Sequence, residues 1–141
     1  MMPDPILATT SLTKSYGRTL ALDGLDLELS EGGLFGFLGP NGSGKTTAIR
    51  LLLGLLCPSA GSARILGRDC WRESARIKRD VGYLPGDVRL YSSLDGRRLL
   101  RIVGRTRGLD LGRRGDDLAE RLDLDLTAKG SRMSKGMRQK L

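Results

Sequence analysis

Gly39-Pro40-Asn41-Gly42-Ser43-Gly44-Lys45-Thr46-Thr47 decides how this chain reads. The stretch fits G-x-x-x-x-G-K-[ST], the phosphate-binding loop called Walker A. A polyphosphate presents several negative oxygens and needs donors close by. Glycine lacks a Cβ, so the backbone can wrap the anion and turn its N–H groups inward. Lys45 adds a mobile positive charge able to reach the outer phosphates. Thr46 offers a hydroxyl to the Mg²⁺ that accompanies a nucleotide. Thr47 to Leu53 reads as a helix start, whose dipole favours an anion. Upstream, Leu34-Phe35-Gly36-Phe37-Leu38 is a short apolar run, as a buried strand would be. Strand, glycine-rich loop and helix follow in the order the motif requires.

Composition sets the bounds. The 141 residues suffice for one domain with a core, and 39% hydrophobic with 28% charged residues is ordinary for a folded protein. No apolar run approaches the roughly 20 residues of a bilayer span. Met1-Met2-Pro3-Asp4-Pro5 lacks the basic and apolar regions of a signal peptide, so a cytoplasmic chain is expected. Cys57 and Cys70 stand apart and the chain has no histidine, which argues against zinc and for two free thiols, at least one packed. The net charge of +8 is uneven, with four basic and five acidic residues up to Ala63 and the surplus beyond it. Six scattered aromatics do not form a stacking platform, so a solvated basic surface is preferred to a nucleic-acid site; a face near anionic lipid is a third option.

In chain order, Ile6 to Thr13 reads as a strand ending in a turn over Lys14-Ser15-Tyr16-Gly17. Leu20, Leu22, Leu25, Leu27 and Leu29 alternate with polar residues around Gly24, the period of a half-exposed strand or hairpin. The helix after Lys45 should stop near Gly54. Ser62 to Leu66 and Val81 to Leu84 read as strands, and Trp71 to Lys78 as a short helix. From Tyr91 the pattern turns helical. Ser93 is expected to cap one helix that ends at Gly108, and Asp116 or Asp117 to start another carrying Leu118, Ala119 and Leu122. Ser134 with Gly136, before a new helix, makes a second anion site or a plain N-cap.

Together these stretches resemble the nucleotide-binding domain of ATP-binding cassette (ABC) transporters. Leu12 to Gly17 is similar to the family's A-loop, in which an aromatic ring, here Tyr16, stacks on adenine. Gly39 to Thr47 is Walker A in the family's usual form. Val81-Gly82-Tyr83-Leu84-Pro85 is similar to the strand entering the Q-loop. Met133 to Leu141, with Ser134, Lys135, Gly136 and Met137 at its centre, resembles the signature motif. The flavour is that of the ATPase subunit of bacterial multidrug exporters.

The resemblance implies an α/β P-loop NTPase with N-terminal antiparallel strands and a small helical subdomain. Residues 1–90 would be the β-rich Walker A portion, and 91–141 the helical portion with the signature. It implies ATP and Mg²⁺ as cofactors, and a head-to-tail homodimer or heterodimer in which Walker A of one copy and the signature of the other clamp the same ATP. A transmembrane permease would be the partner, on the cytoplasmic face of the membrane, with no specific nucleic acid. The departures are Gly86 where the Q-loop usually has Gln or Glu, with Asp87 next as a candidate Mg²⁺ contact, and Lys135 within the signature. Walker B and the switch histidine would lie beyond Leu141. The expectation is thus a fragment truncated before Walker B that binds nucleotide weakly and hydrolyses essentially none. The alternatives are a soluble ABC ATPase acting on nucleic acid or ribosomes, and another P-loop enzyme such as a kinase.

Overall fold

The computed structural model describes residues 4–141, which divide into two compact units with the boundary between Val81 and Gly82. The first is built on a four-stranded antiparallel sheet. Strand β1 (Leu7–Tyr16) pairs with β2 (Thr19–Leu29) on one side and β3 (Ala60–Ile65) on the other, and β4 (Arg68–Asp69) extends β3.

The leucine alternation of β2 changes phase at Gly24, which lies at φ 52°. The ladder shifts register there, because Leu25 faces Leu12 while Leu22 faces Lys14. The irregularity is held by side chains: Thr13 Oγ1 accepts from Gly24 N–H at 3.0 Å, and Asp26 Oδ1 from Ser11 N–H at 2.6 Å. The slip lets leucines on both sides of the bulge serve one core.

Helix α1 (Lys45–Leu52) and helix α2 (Ser74–Asp80) cover that core. Leu12, Leu51 and Ile77 are fully enclosed, with Leu22, Ala48, Ala63, Ile65 and Cys70 around them. Gly54, at φ 60°, ends α1 as the sequence implies. Its bare Cα lies against the Cys70 carbonyl, where a methyl would collide. Cys57 is exposed and Cys70 buried, both as free thiols, in line with the sequence. Burial, with Asp69 beside it, pushes the Cys70 thiol up to about 11.

The second unit holds α3 (Gly96–Arg107), α4 (Gly112–Arg121), a 3-10 turn (Gly130–Arg132) and α5 (Lys135–Lys140). Its core is small: Ala119, Leu124 and Leu126, backed by Leu100, Met137 and Leu141. Glycines let the elements approach, since a Cβ on Gly115 would stand 2.9 Å from Leu100 Cδ1. In the connection to the 3-10 turn, Thr127 donates its hydroxyl and its N–H to Asp125, which hold that carboxyl below its usual range.

Five expectations are corrected. Lys14 to Tyr16 continue β1, paired with β2, and the turn is confined to Gly17 and Arg18. Residues 34–38 form no strand and lie open, with Leu34 fully exposed and Leu38 91% exposed. An apolar run becomes a buried strand only with backbone partners beside it, and no strand among the described residues pairs with it. Val81 to Leu84 is likewise not a strand; Gly82 weakens such a run and Pro85 lacks a donor. Asp95, not Ser93, caps α3, accepting from Arg98 N–H at 2.8 Å. A carboxylate suits the positive helix end better than a hydroxyl two residues away in a turn. Finally, α4 begins at Gly112, so Asp116 and Asp117 lie inside it. At the helix start it is Asp110, two residues ahead of α4, that takes a free donor, the Gly112 N–H at 3.0 Å.

Leu12→Ala should cost about 2–5 kcal/mol of stability, whereas Leu34→Ala and Leu84→Ala should stay within about 0.5 kcal/mol; urea unfolding followed by circular dichroism checks the contrast. Iodoacetamide at pH 8 should alkylate one thiol per native chain, Cys57, and the second only after denaturation, as read by mass spectrometry.

Candidate functional site

The phosphate-loop stretch leads into α1 with the backbone its glycines permit. Gly42 and Gly44 lie at φ 87° and 84°. Gly44 is the residue before α1, and no side chain caps the helix. Its carbonyl accepts from Ala48 N–H at 2.8 Å. The N–H groups of the first turn, those of Lys45, Thr46 and Thr47 among them, therefore lack acceptors within the helix. They add to a dipole end worth roughly half a positive charge.

Gly44 also fixes the loop to the sheet. A Cβ there would sit 2.5 Å from the Ala21 carbonyl and 3.3 Å from Leu22 Cδ1, both on β2. Only a bare Cα lets the helix start this close to the strand. Nothing in the motif announces this approach; the signal in the sequence was the leucine alternation that buries Leu22.

Lys45 turns back over its own loop. Its ammonium donates to the Gly39 and Pro40 carbonyls at 2.6 Å each and to Ser43 Oγ at 3.2 Å. Asn41 is exposed in the turn between Pro40 and Ser43, whose N–H bonds back to the Pro40 carbonyl at 3.3 Å. Thr46 is exposed and Thr47 half-buried at the helix start. From Gly39 to Thr47 the chain offers backbone donors, one ammonium and three hydroxyls, and no carboxylate. That donor set fits a polyphosphate with its counter-cation, since it is net positive and its ammonium is held by carbonyls that an anion can replace.

Tyr16 closes the same β1–β2 hairpin, paired with Thr19, and its ring is half exposed. The Lys14 ammonium stands 5.2 Å from the ring centroid while donating to the Cys57 carbonyl at 2.8 Å. Such a cation–π contact contributes about 0.5–1 kcal/mol at an exposed site. No sequence pattern hinted that Lys14 would lie over the ring.

The second anion candidate belongs to the other unit. Ser134 caps α5, its Oγ accepting from Met137 N–H at 3.2 Å. Lys135 and Gly136 are exposed in the first turn, and Met137 packs against the Ala119, Leu124 and Leu126 core. Asp87, also in this unit, is an exposed carboxylate 3.3 Å from Arg89. Gly86 beside it accepts from Gln139 Nε2 at 3.3 Å, a link the sequence did not suggest. Among the described residues no cluster of three or more potential metal ligands occurs, and no helix is long and apolar enough to cross a membrane.

The sequence profile of the ABC transporter family matches residues 22–141. The daunorubicin resistance ATP-binding protein DrrA3 of Streptomyces coeruleorubidus is 40% identical over 145 residues, covering 99% of this chain and 46% of that protein. The bacitracin transport ATP-binding protein BcrA of Bacillus licheniformis is 36% identical over 138 residues, covering 96% of this chain and 45% of that protein. The chain thus spans less than half the length of these relatives. Among solved structures, an ATP-binding subunit of an ABC transporter superposes with a TM-score of 0.84 at 28% identity, over 96% of this chain and 58% of that one. A dimeric ATP-binding cassette bound to ADP and Pi superposes with a TM-score of 0.82 at 23% identity, a likeness of fold, over 95% of this chain and 66% of that one. On the family profile, these relatives and the α/β architecture around a phosphate-loop sequence, the chain belongs to the ABC transporter ATP-binding family.

Proposed function

We propose that the chain is the nucleotide-gripping part of an ABC transporter ATPase that powers an exporter. The observation that carries this reading is the Gly39–Thr47 loop, with an uncapped helix start behind it and the Lys45 ammonium held by exchangeable carbonyls. Lys45 leaves Gly39 and Pro40 for the outer phosphates. The backbone N–H groups of the loop and of Lys45, Thr46 and Thr47 hold the inner ones. Thr46 supplies the hydroxyl to Mg²⁺, and Tyr16 its ring to adenine on the face opposite Lys14. Mg-ATP, when bound, supplies the phosphoanhydride whose hydrolysis in the whole protein drives transport.

Ser134, Lys135, Gly136 and Met137 act on the nucleotide of a second, head-to-tail copy, through the N–H groups at the start of α5. The dimeric form of the cassette with ADP and Pi supports pairing. A permease partner on the cytoplasmic face, and export as the direction, are supported by relatives named for daunorubicin resistance, bacitracin transport and Nod factor export. Asp87 is a surface carboxylate paired with Arg89, which supports no role with Mg²⁺ beyond its place after Gly86. Hydrolysis needs a carboxylate to hold Mg²⁺ and a group to orient water. The loop contains neither, and the candidate carboxylate Asp87 is paired with Arg89, so these residues should bind nucleotide weakly and turn over almost none.

Lys45→Ala should weaken Mg-ATP binding roughly tenfold or more, the loss of a charge-assisted contact of about 1.5–3 kcal/mol. Unchanged affinity in a fluorescence titration sinks the cradle. Tyr16→Ala should weaken ATP but spare tripolyphosphate. Equal losses for both ligands would argue against adenine stacking.

A further inference from the structure

The second unit carries a groove of about 330 Å³ between α3 and the α3–α4 loop. Its apolar wall is Leu100, Leu109, Leu111 and Leu126. Its rim is a row of arginines, Arg97, Arg101 and Arg105, each one turn further along α3 and therefore about 6 Å apart along its axis.

Two acids also line the groove: Asp116 is paired with Arg97 at 2.7 Å, and Asp110 keeps its charge while accepting from Gly112 N–H at 3.0 Å, against five arginines on α3. Among the described residues no carboxylate lies within salt-bridge distance of Arg101 or Arg105. α3 carries five arginines and no acid, and like charges one turn apart repel. Two planar guanidinium forks above a leucine wall match an anionic head on an apolar body, because each fork can grip a phosphate or carboxylate through two parallel bonds. The volume is in the range of small-molecule sites.

We infer that this groove binds an amphiphilic anion, a phosphate or carboxylate head held by Arg101 and Arg105 with its alkyl chain laid on Leu109 and Leu111. The inference does not rest on the nucleotide reading, since every residue in it lies outside the phosphate loop.

The test is calorimetric titration of the chain carrying Lys45→Ala, which removes the loop's own lysine, with monomeric decyl phosphate. One saturable site is expected. Arg101→Gln with Arg105→Gln should weaken it roughly tenfold or more, while Arg18→Gln with Arg50→Gln, in the first unit and outside the groove lining, should leave it unchanged. Leu109→Ser, on an exposed loop, should weaken decyl phosphate and not inorganic phosphate, and serves as the readout should the double arginine variant fail to fold. Flotation with phosphatidylglycerol and phosphatidylcholine vesicles separates the sources. Capture by the anionic vesicles, lost with the same arginines, assigns the head to a membrane lipid; binding of the monomer alone assigns it to a soluble amphiphile. Decyl phosphate bound equally by the double arginine variant, or no tighter than inorganic phosphate, overturns the proposal.

Discussion

The contact on which the rest depends is the approach of Gly44 to the Ala21 carbonyl on β2. α1 has eight residues, fewer than the roughly 12–15 that make an isolated helix even marginal in water. It forms because Ala48 and Leu51 are buried against Leu12 and Leu22, and burying a leucine side chain contributes about 1.5–3 kcal/mol. That packing draws the helix start onto the hairpin, where only a residue without a Cβ fits. The sheet, not the glycine-rich turn alone, therefore decides where the donors of the first helical turn stand.

The sequence announced most of the first unit because its patterns were local and strong. Alternating leucines predicted a strand or hairpin over β2, while the register shift at Gly24 emerged only in the fold. The phosphate-loop motif predicted the start of α1, and Gly54 and Gly108 marked two helix ends. The two strand errors share one cause. Leu34 to Leu38 and Val81 to Leu84 have strand composition, but strand formation is a pairing property that a window of five residues does not contain. In the helical unit, the aspartates that meet the first helical donors are Asp95 and Asp110 rather than Ser93 and Asp116 or Asp117, a choice among near neighbours that composition alone does not settle. At the candidate site the residue types were legible. Their present partners were not, because the carbonyls that hold Lys45 and the ring beneath Lys14 are consequences of folded geometry.

The two units differ in what keeps them ordered. The first encloses eight residues in one cluster; the second encloses three and fills in with half-buried leucines and Met137. A core that small leaves little margin. The second unit also carries most of the positive surplus of the chain, and α3 concentrates five arginines on twelve residues. Met137 lies both in the signature-like stretch and on the hydrophobic cluster. The turn that presents Ser134 is thus anchored by the weaker of the two cores.

At both anion candidates one donor is held from within. Lys45 donates to two carbonyls and a hydroxyl, and Met137 N–H donates to Ser134 Oγ, whereas the N–H groups that open α1 have no acceptor in the helix. An incoming anion at Walker A would exchange partners at Lys45 and meet uncapped N–H groups at the helix start. Each new hydrogen bond there is therefore worth a net value nearer 1 kcal/mol than the roughly 4–6 of an unsolvated pair. One phosphate would hardly offset the loss of the carbonyls that hold Lys45. A chain of phosphates would engage the ammonium, the loop N–H groups and the helix start together, with contributions accumulating on a backbone already fixed by β2. A preference for a triphosphate over a monophosphate would follow, because a ligand that reaches only the helix start would leave Lys45 with its carbonyls.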